Sequence, residues 1–313
     1  MAVYLRTARD ALYYLREFTV YIHSRGHMAR ATAGWWSGLS GVIIFSGSLP
    51  ATRVAIGGFS PLFLTSARAV IAALLAGGLL LLLRQKRPAR SDALSLLIVA
   101  TGVVVGFPLL TALALREMTA AHSLVFIGLL PLSTAIFGVL RGGERPRPAF
   151  WLFSLLGAGI VAGFAIASDQ AGSLTGDLLM VAAILLCGLG YAEGAGLSRR
   201  LGGWQVISWA LLLALPVMVV TGLINLPHSW HGISVPAWFS LGYVSLFSML
   251  IGFIFWYRGL ALGGIAGVGQ LQLLQPFFGL LLSALFLHEP IALGMVACAG
   301  AIILCVAGAK RFA

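Results

Sequence analysis

The chain has 313 residues, of which 60% are hydrophobic and only 9% charged, with a mean hydropathy of +1.00. A water-soluble domain of this length needs a charged surface that this composition does not supply, so soluble classes are excluded. The formal net charge of +11, from 20 Lys and Arg against 9 Asp and Glu, must be explained by where the cations fall.

The apolar residues gather in ten runs, each long enough to cross a bilayer. A run of about 18 or more reads as a membrane helix, and lipid permits only helices or closed barrels. These runs are too long and too evenly apolar for barrel strands. Residues 1–32 precede them as a cytoplasmic arm. Leu5, Ala8, Leu12 and Leu15 recur there at helical spacing, with Arg6, Arg9, Asp10 and Arg16 elsewhere on the wheel. The arm reads either as a short helix on the membrane surface or as an extension ahead of a start near Met28. It has no apolar core followed by a small-residue cleavage site, so no secretory signal is read.

In chain order, the first span is Ala33–Ile56, with Ser46 and Ser48 ahead of Pro50 and with Arg53 near its far end. The second, Pro61–Leu83, carries Arg68; the third is Ser91–Leu115, and the fourth, Thr119–Leu140, carries His122 and Ser123. The fifth is Pro148–Ala167. The sixth, Leu174–Leu197, holds Tyr191 and Glu193, the only carboxylate well inside a span. The seventh is Gly203–Leu226, and the eighth, Pro236–Tyr257, ends on Trp256 and Tyr257. The ninth, Gly264–Leu287, carries Gln270, Gln272 and Gln275, and the tenth is Pro290–Ala309. Pro61, Pro148, Pro236 and Pro290 stand at span starts, where a missing N–H costs little. Pro50, Pro108, Pro131, Pro216 and Pro276 interrupt five spans and predict kinks. The fold class expected is an all-α polytopic membrane protein.

Placing both termini in the cytoplasm puts 17 of the 20 Lys and Arg on that side; only Arg116 falls in an outer loop, and Arg53 and Arg68 lie within spans. This is the distribution that sets membrane orientation. It accounts for the net charge through membrane lipid, with no nucleic-acid partner. Cys187, Cys298 and Cys305 all lie in spans without metal-ligand spacing, so no metal or cofactor is expected, and no obligate protein partner is evident.

A repeat follows at an offset of 145 residues: Pro131 to Glu144 matches Pro276 to Glu289, Val161-Ala162-Gly163 matches Val306-Ala307-Gly308, and Ala121 matches Ala266. Residues 33–167 and 168–313 are therefore read as two five-helix units, the second with a short C-terminal tail. Five is odd, so the second unit enters the membrane from the opposite side, an architecture of secondary transporters.

The segments Leu130-Pro131 through Gly143-Glu144-Arg145 and Gln275-Pro276 through His288-Glu289-Pro290 carry a resemblance to a known family. So do Phe255-Trp256-Tyr257-Arg258-Gly259-Leu260-Ala261, and Pro61 followed by Arg68. Over residues 33 to 309 the chain resembles the drug/metabolite transporter superfamily of EamA type, with the aromatic amino-acid exporters as the most similar branch. The resemblance implies export of small metabolites by alternating access through a central cavity between the halves.

Polar groups at lipid depth need a reason. Arg68 reads as a cation facing a substrate carboxylate, as a tie between helices, or as snorkelling outward. Arg53 reads as snorkelling outward. Glu193 reads as a proton-coupling carboxylate, or as a structural partner of the nearby Arg199 and Arg200; Glu144 and Glu289 read as partners for Arg or for helix N-termini. Gln272 and Gln275 share a face beside Pro276, and amides suit a zwitterion because they both donate and accept; the alternative is interhelical bonding. Tyr191 is a candidate lining residue, and Ser48 and His122 are weaker ones. Trp256 and Tyr257, like Trp35, Trp36 and Trp151, fit an aromatic belt at the inner surface, with stacking on a substrate ring as the alternative for any of them. Gly34 with Gly38, Gly159 with Gly163, and Gly190 with Gly194 have the spacing of close helix contacts.

The function expected is a secondary transporter exporting small metabolites, with aromatic or neutral amino acids as the favoured class, across the plasma (inner) membrane. A sugar-phosphate or nucleotide-sugar carrier would want more cations in the spans. An intramembrane enzyme would want a motif such as G-x-S-x-G, H-E-x-x-H or Walker A, and none occurs. A non-transporting membrane subunit is the remaining alternative.

Overall fold

The computed structural model describes residues 32–143, 145–167 and 173–312. The arm before residue 32 and Glu144 lie outside the described residues. Those described form ten helical runs and no strand. Helix α1 covers residues 32–55, with a turn at Gly47 before its second piece, Ser48–Ala55. The others are α2 (Pro61–Leu82), α3 (Arg90–Glu117), α4 (Ala120–Gly142) and α5 (Pro148–Ala167). They continue as α6 (Leu174–Leu201), α7 (Gly203–Ile224), α8 (Val235–Gly263), α9 (Ile265–Leu287) and α10 (Leu293–Lys310). Seven of the ten are long and apolar enough to cross a membrane on length and composition alone; α1, α5 and α10 complete the bundle.

Starts and stops follow local chemistry. Ser60, Thr119, Ser173 and Ser234 cap α2, α4, α6 and α8, each side chain accepting the N–H three residues on. These four starts lie at one end of the bundle. At the other, basic end, α7 and α9 begin after Gly202 and Gly264, both at positive φ. Helices α4 and α9 end on left-handed residues 145 positions apart, Gly143 and His288. Pro290 does not open the tenth span as expected: it lies in the loop, and α10 starts at Leu293.

Interruptions also recur. Helix α3 carries a π-helical segment at Ala100–Gly106, and α8 carries one at Val244–Ile251. Helix α4 is broken at Gly128 and Leu129 ahead of Pro131, and α9 tightens to a 3₁₀ turn over Gln270–Leu274 ahead of Pro276. Pro50, Pro108, Pro131 and Pro276 stand in the first turns of the α-helical pieces that follow an irregularity, where the absent N–H is tolerated. Pro216 alone sits inside an unbroken helix.

Packing repeats with the same exchange. Helix α2 packs on α7, and α5 on α10; α3 packs on α6 and α7 as α8 packs on α1 and α2; α4 packs on α6 as α9 packs on α1; and α4 packs on α9. Swapping α1–α5 for α6–α10 leaves these pairings unchanged. Small residues make the close contacts, as in lipid, where apolar burial gives helices no preference for one another. On α2, Ala69, Ala72, Ala73 and Ala76 face inward while Leu74, Leu75, Leu79 and Leu81 face out. Gly34 and Gly38 lie against Gly259 and Gly263 so closely that a Cβ at Gly34 or Gly259 would stand 2.7 Å from opposing backbone. Gly159 and Gly163, in contrast, face open space.

Candidate functional site

The contact between α1, α6, α8 and α9 holds most of the polar candidates. Phe45 of α1 makes edge contacts with Phe253 and Trp256 of α8, at ring separations of 5.0 and 6.3 Å. Tyr191 of α6 lies 5.4 Å from Trp256 and 6.0 Å from Phe253, and it neighbours Gln272. The Tyr257 hydroxyl donates to the Gly190 carbonyl at 3.1 Å. Its ring lies over Gly194, where any Cβ would overlap it. Trp256 and Tyr257 are 0% exposed: they are interior groups, not the surface belt the sequence suggested. Trp36, 66% exposed, does face outward.

The amides stand against this aromatic layer. The Gln275 Nε2 donates to the Phe45 carbonyl at 3.4 Å. Gln272 is 0% exposed, and both its amide atoms lack a partner; so do Oε1 of Gln270 and Gln275, and Nε1 of Trp256. Pro276 offers no N–H to the Gln272 carbonyl, four residues back. An unpaired buried polar group costs about 1 to 3 kcal/mol. Several of them together therefore call for a polar ligand or a second conformation.

A second polar group lies along α1. Arg68 is 4% exposed; its Nη2 donates to Ser248 Oγ at 3.0 Å, and Ser248 shares a 2.8 Å hydrogen bond with Ser48 Oγ. This chain ties α2, α8 and α1 together. Ser48 follows the turn at Gly47, three residues beyond Phe45, and Ser248 lies in the π segment of α8. Among the described residues no carboxylate comes within ion-pair distance of Arg68, and its Nε has no partner.

The remaining candidates lie at the two ends. His122 Nε2 is 3.0 Å from Asp177 Oδ1, joining α4 to α6 at the hydroxyl-capped end. There the Glu289 carboxylate accepts from the N–H groups of Ala120 and Ala121, at 3.1 and 2.9 Å, and so caps α4 from the loop after α9. Arg53 does not snorkel: its guanidinium donates to the Leu115 carbonyl in the last turn of α3. At the basic end Glu193 pairs with Arg141, not with Arg199 or Arg200 as its sequence position suggested; Arg200 pairs with Asp92 at 2.7 Å. These four side chains and Ser95 line or adjoin a cleft of about 220 Å³. Ser46 and Ser123 bond to carbonyls of their own helices, at Val42 and Ala120.

The structure thus gathers Gln272, Gln275, Tyr191, Trp256 and Tyr257, with Arg68 and Ser48 adjoining. It sets His122 and Glu193 apart. Phe45, Phe253, Ser248 and Asp177 were not singled out from the sequence. Nothing distinguishes the two Phe among 18, and a first-turn Asp reads simply as a dipole partner.

Comparisons with known proteins bear on the family and the fold. The model of the EamA-like transporter family matches residues 32–166 and again residues 174–309. The chain belongs to the EamA-like transporter family. A Bacillus subtilis protein named an uncharacterized transporter, YdeK, is 65% identical over 286 residues, 91% of this chain and 100% of that one. A second B. subtilis protein of similar name, YvbV, is 23% identical over 206 residues, 61% of this chain and 68% of that protein. A solved crystal structure at 18% identity superposes with a TM-score of 0.68 over 90% of this chain and 97% of the other, which shows the shared fold. In this EamA-family chain the two matches fall on α1–α5 and α6–α10, the groups that the packing exchanges.

Proposed function

We propose that this EamA-family protein is a secondary transporter that exports neutral and aromatic amino acids across the plasma (inner) membrane. The observation that carries the reading is Gln272, buried with both amide atoms unpaired beside Gln275, Tyr191 and Trp256. The amides supply donors and acceptors for an ammonium and a carboxylate, and the rings supply a surface for an apolar or aromatic side chain. No bond of the substrate need be made or broken; the chemistry is recognition.

Residues 33–167 and 168–313 act as two units of opposite orientation, with the site between them and with the basic end in the cytoplasm. With Trp256, Tyr257 and Gln272 wholly shielded, the middle of the bundle is closed. Access then requires the halves to part at one end and then the other. A sugar-phosphate or nucleotide-sugar substrate fits less well, because Arg68 is the one fully buried Lys or Arg among the described residues.

The test is flux into liposomes holding the purified chain, across a panel of amino acids, with and without a pH gradient. Saturable uptake of a neutral or aromatic amino acid is expected. Uptake of none, in protein shown to be folded, would overturn the substrate assignment.

A further inference from the structure

Helices α4 and α6 come from different matched segments, yet they lie side by side and are tied at three levels. His122 meets Asp177, the Ser133 hydroxyl donates to the Ile184 carbonyl at 3.1 Å, and Arg141 meets Glu193. The order of the three ties makes the helices parallel, with His122 and Asp177 one turn in from the hydroxyl-capped end. If the halves part at that end, this pair must separate.

We propose that the His122–Asp177 pair is a proton-binding site that holds this end of the transporter closed when a proton occupies it. The proposal uses the orientation given above only to name the end as the outer one. Without the proton, a neutral imidazole donates its Nε2–H to the Asp177 carboxylate. One proton taken from the adjoining water onto the imidazole ring gives an imidazolium facing the carboxylate, and no other bond changes. Histidine is the side chain whose charge ordinarily changes near physiological pH. The His122 side chain is 1% exposed and that of Asp177 17%, so the carboxylate forms the edge that meets water. The closed arrangement gives an imidazolium a carboxylate at 3.0 Å, and parting α4 from α6 removes it. By linkage, a bound proton therefore favours closure, and falling pH shifts the population toward it.

Among the described residues, the charged and titratable groups that the elements packed around the pair bring to this end are these; Asp169, before α6, lies outside the described residues. On the α9–α10 side stand Glu289, seated on Ala120 and Ala121, and His288 beside it. From α3 come Glu117, against Gly176, and Arg116. Helix α1 brings Arg53, held on the Leu115 carbonyl. Helix α10 has no charged residue at this end. The positions equivalent to His122 and Asp177 across the repeat are Gly267 and Thr32, which cannot form such a pair, so the basic end has no counterpart.

The test needs no transported substrate. In the full chain, with Cys187, Cys298 and Cys305 changed to Ala, spin labels at Gly57→Cys and Leu174→Cys report the separation of the halves at this end in lipid nanodiscs. Between about pH 8 and about pH 5 the wild-type pair should shift toward the shorter distance. Asp177→Asn and His122→Gln should each give one distribution at both pH values. Carbon-13 NMR of histidine-labelled chain should show a titrating resonance that is missing from His122→Gln. A wild-type distribution that ignores pH, or a variant that follows pH as the wild type does, overturns the proposal. If either variant fails to fold, the wild-type distances and titration decide alone. A chain that closes with acid but moves no amino acid would overturn the substrate reading and leave this site standing.

Discussion

At lipid depth an amide that bonds to nothing gives up its water without compensation, and Gln272 does so with both amide atoms. Its removal should therefore act in opposite directions on folding and on function. Gln272→Ala is expected to leave thermal stability in detergent unchanged or raised, because an unpaired buried group is lost. The same change should weaken substrate binding by about 0.5 to 1.5 kcal/mol, roughly 2- to 13-fold, for one hydrogen bond to a bound ligand. Gln275→Ala should show the same loss of affinity, with a stability cost from its bond to Phe45. Scintillation binding and thermal unfolding of both variants check the pair of outcomes. Glu193→Gln should behave differently. Its partner Arg141 is about half exposed and can rehydrate, so the loss of stability should be about 1 kcal/mol. Any pH dependence of flux should remain; its disappearance in folded protein would make Glu193 the coupling group. Gln272, Gln275 and Tyr191 were legible in the sequence because a polar group inside an apolar run has few explanations. For Trp256 and Tyr257 the sequence left a surface belt and a substrate-facing ring both open, because a ring near the end of an apolar run looks the same whether it faces headgroups or the interior; their burial removes the belt. Asp177 was overlooked because its significance lies in a residue 55 positions away.

At the scale of elements, the apolar runs located every helix but not all of their ends. Helix α6 continues to Leu201 and α8 to Gly263, past Arg199, Arg200 and Arg258, since a helix can outlast the lipid that favours it. The capping residues were visible as Ser, Thr and Gly, and Glu289 as a partner for Arg or for a helix N-terminus; the fold shows that the helix it caps is α4. Glu289→Ala should cost about 1 kcal/mol, as other lost N-terminal caps do. It should also speed hydrogen exchange at Ala120 and Ala121 without affecting the far end of α4. His288 occupies the left-handed position that Gly143 occupies in the first half. A side chain there pays a steric penalty that glycine avoids. His288→Gly should raise thermal stability by an amount of order 1 kcal/mol, measured in detergent beside the wild type.

For the whole molecule, the two-fold family match and the exchange-symmetric packing describe one frame built twice. The offset of 145 residues suggested such a frame from the sequence; the paired π segments gave no such sign, because no residue type marks them. A reporter fused after Ala313 and active only outside the cytoplasm should stay silent; strong activity would reverse the orientation. A frame built twice in opposite senses has no preferred direction of its own, and its two half-cycles would be equivalent. The side chains joining α4 to α6 break that equivalence, with an imidazole and carboxylate at one end and a guanidinium and carboxylate at the other. Ionic strength should loosen the guanidinium end, which is partly open to solvent, whereas acidity should act on the imidazole end if the proposed proton site holds. The vectorial behaviour of the carrier would then reside in a few unmatched side chains on two neighbouring helices, and exchanging those between the halves would turn it round without altering the fold.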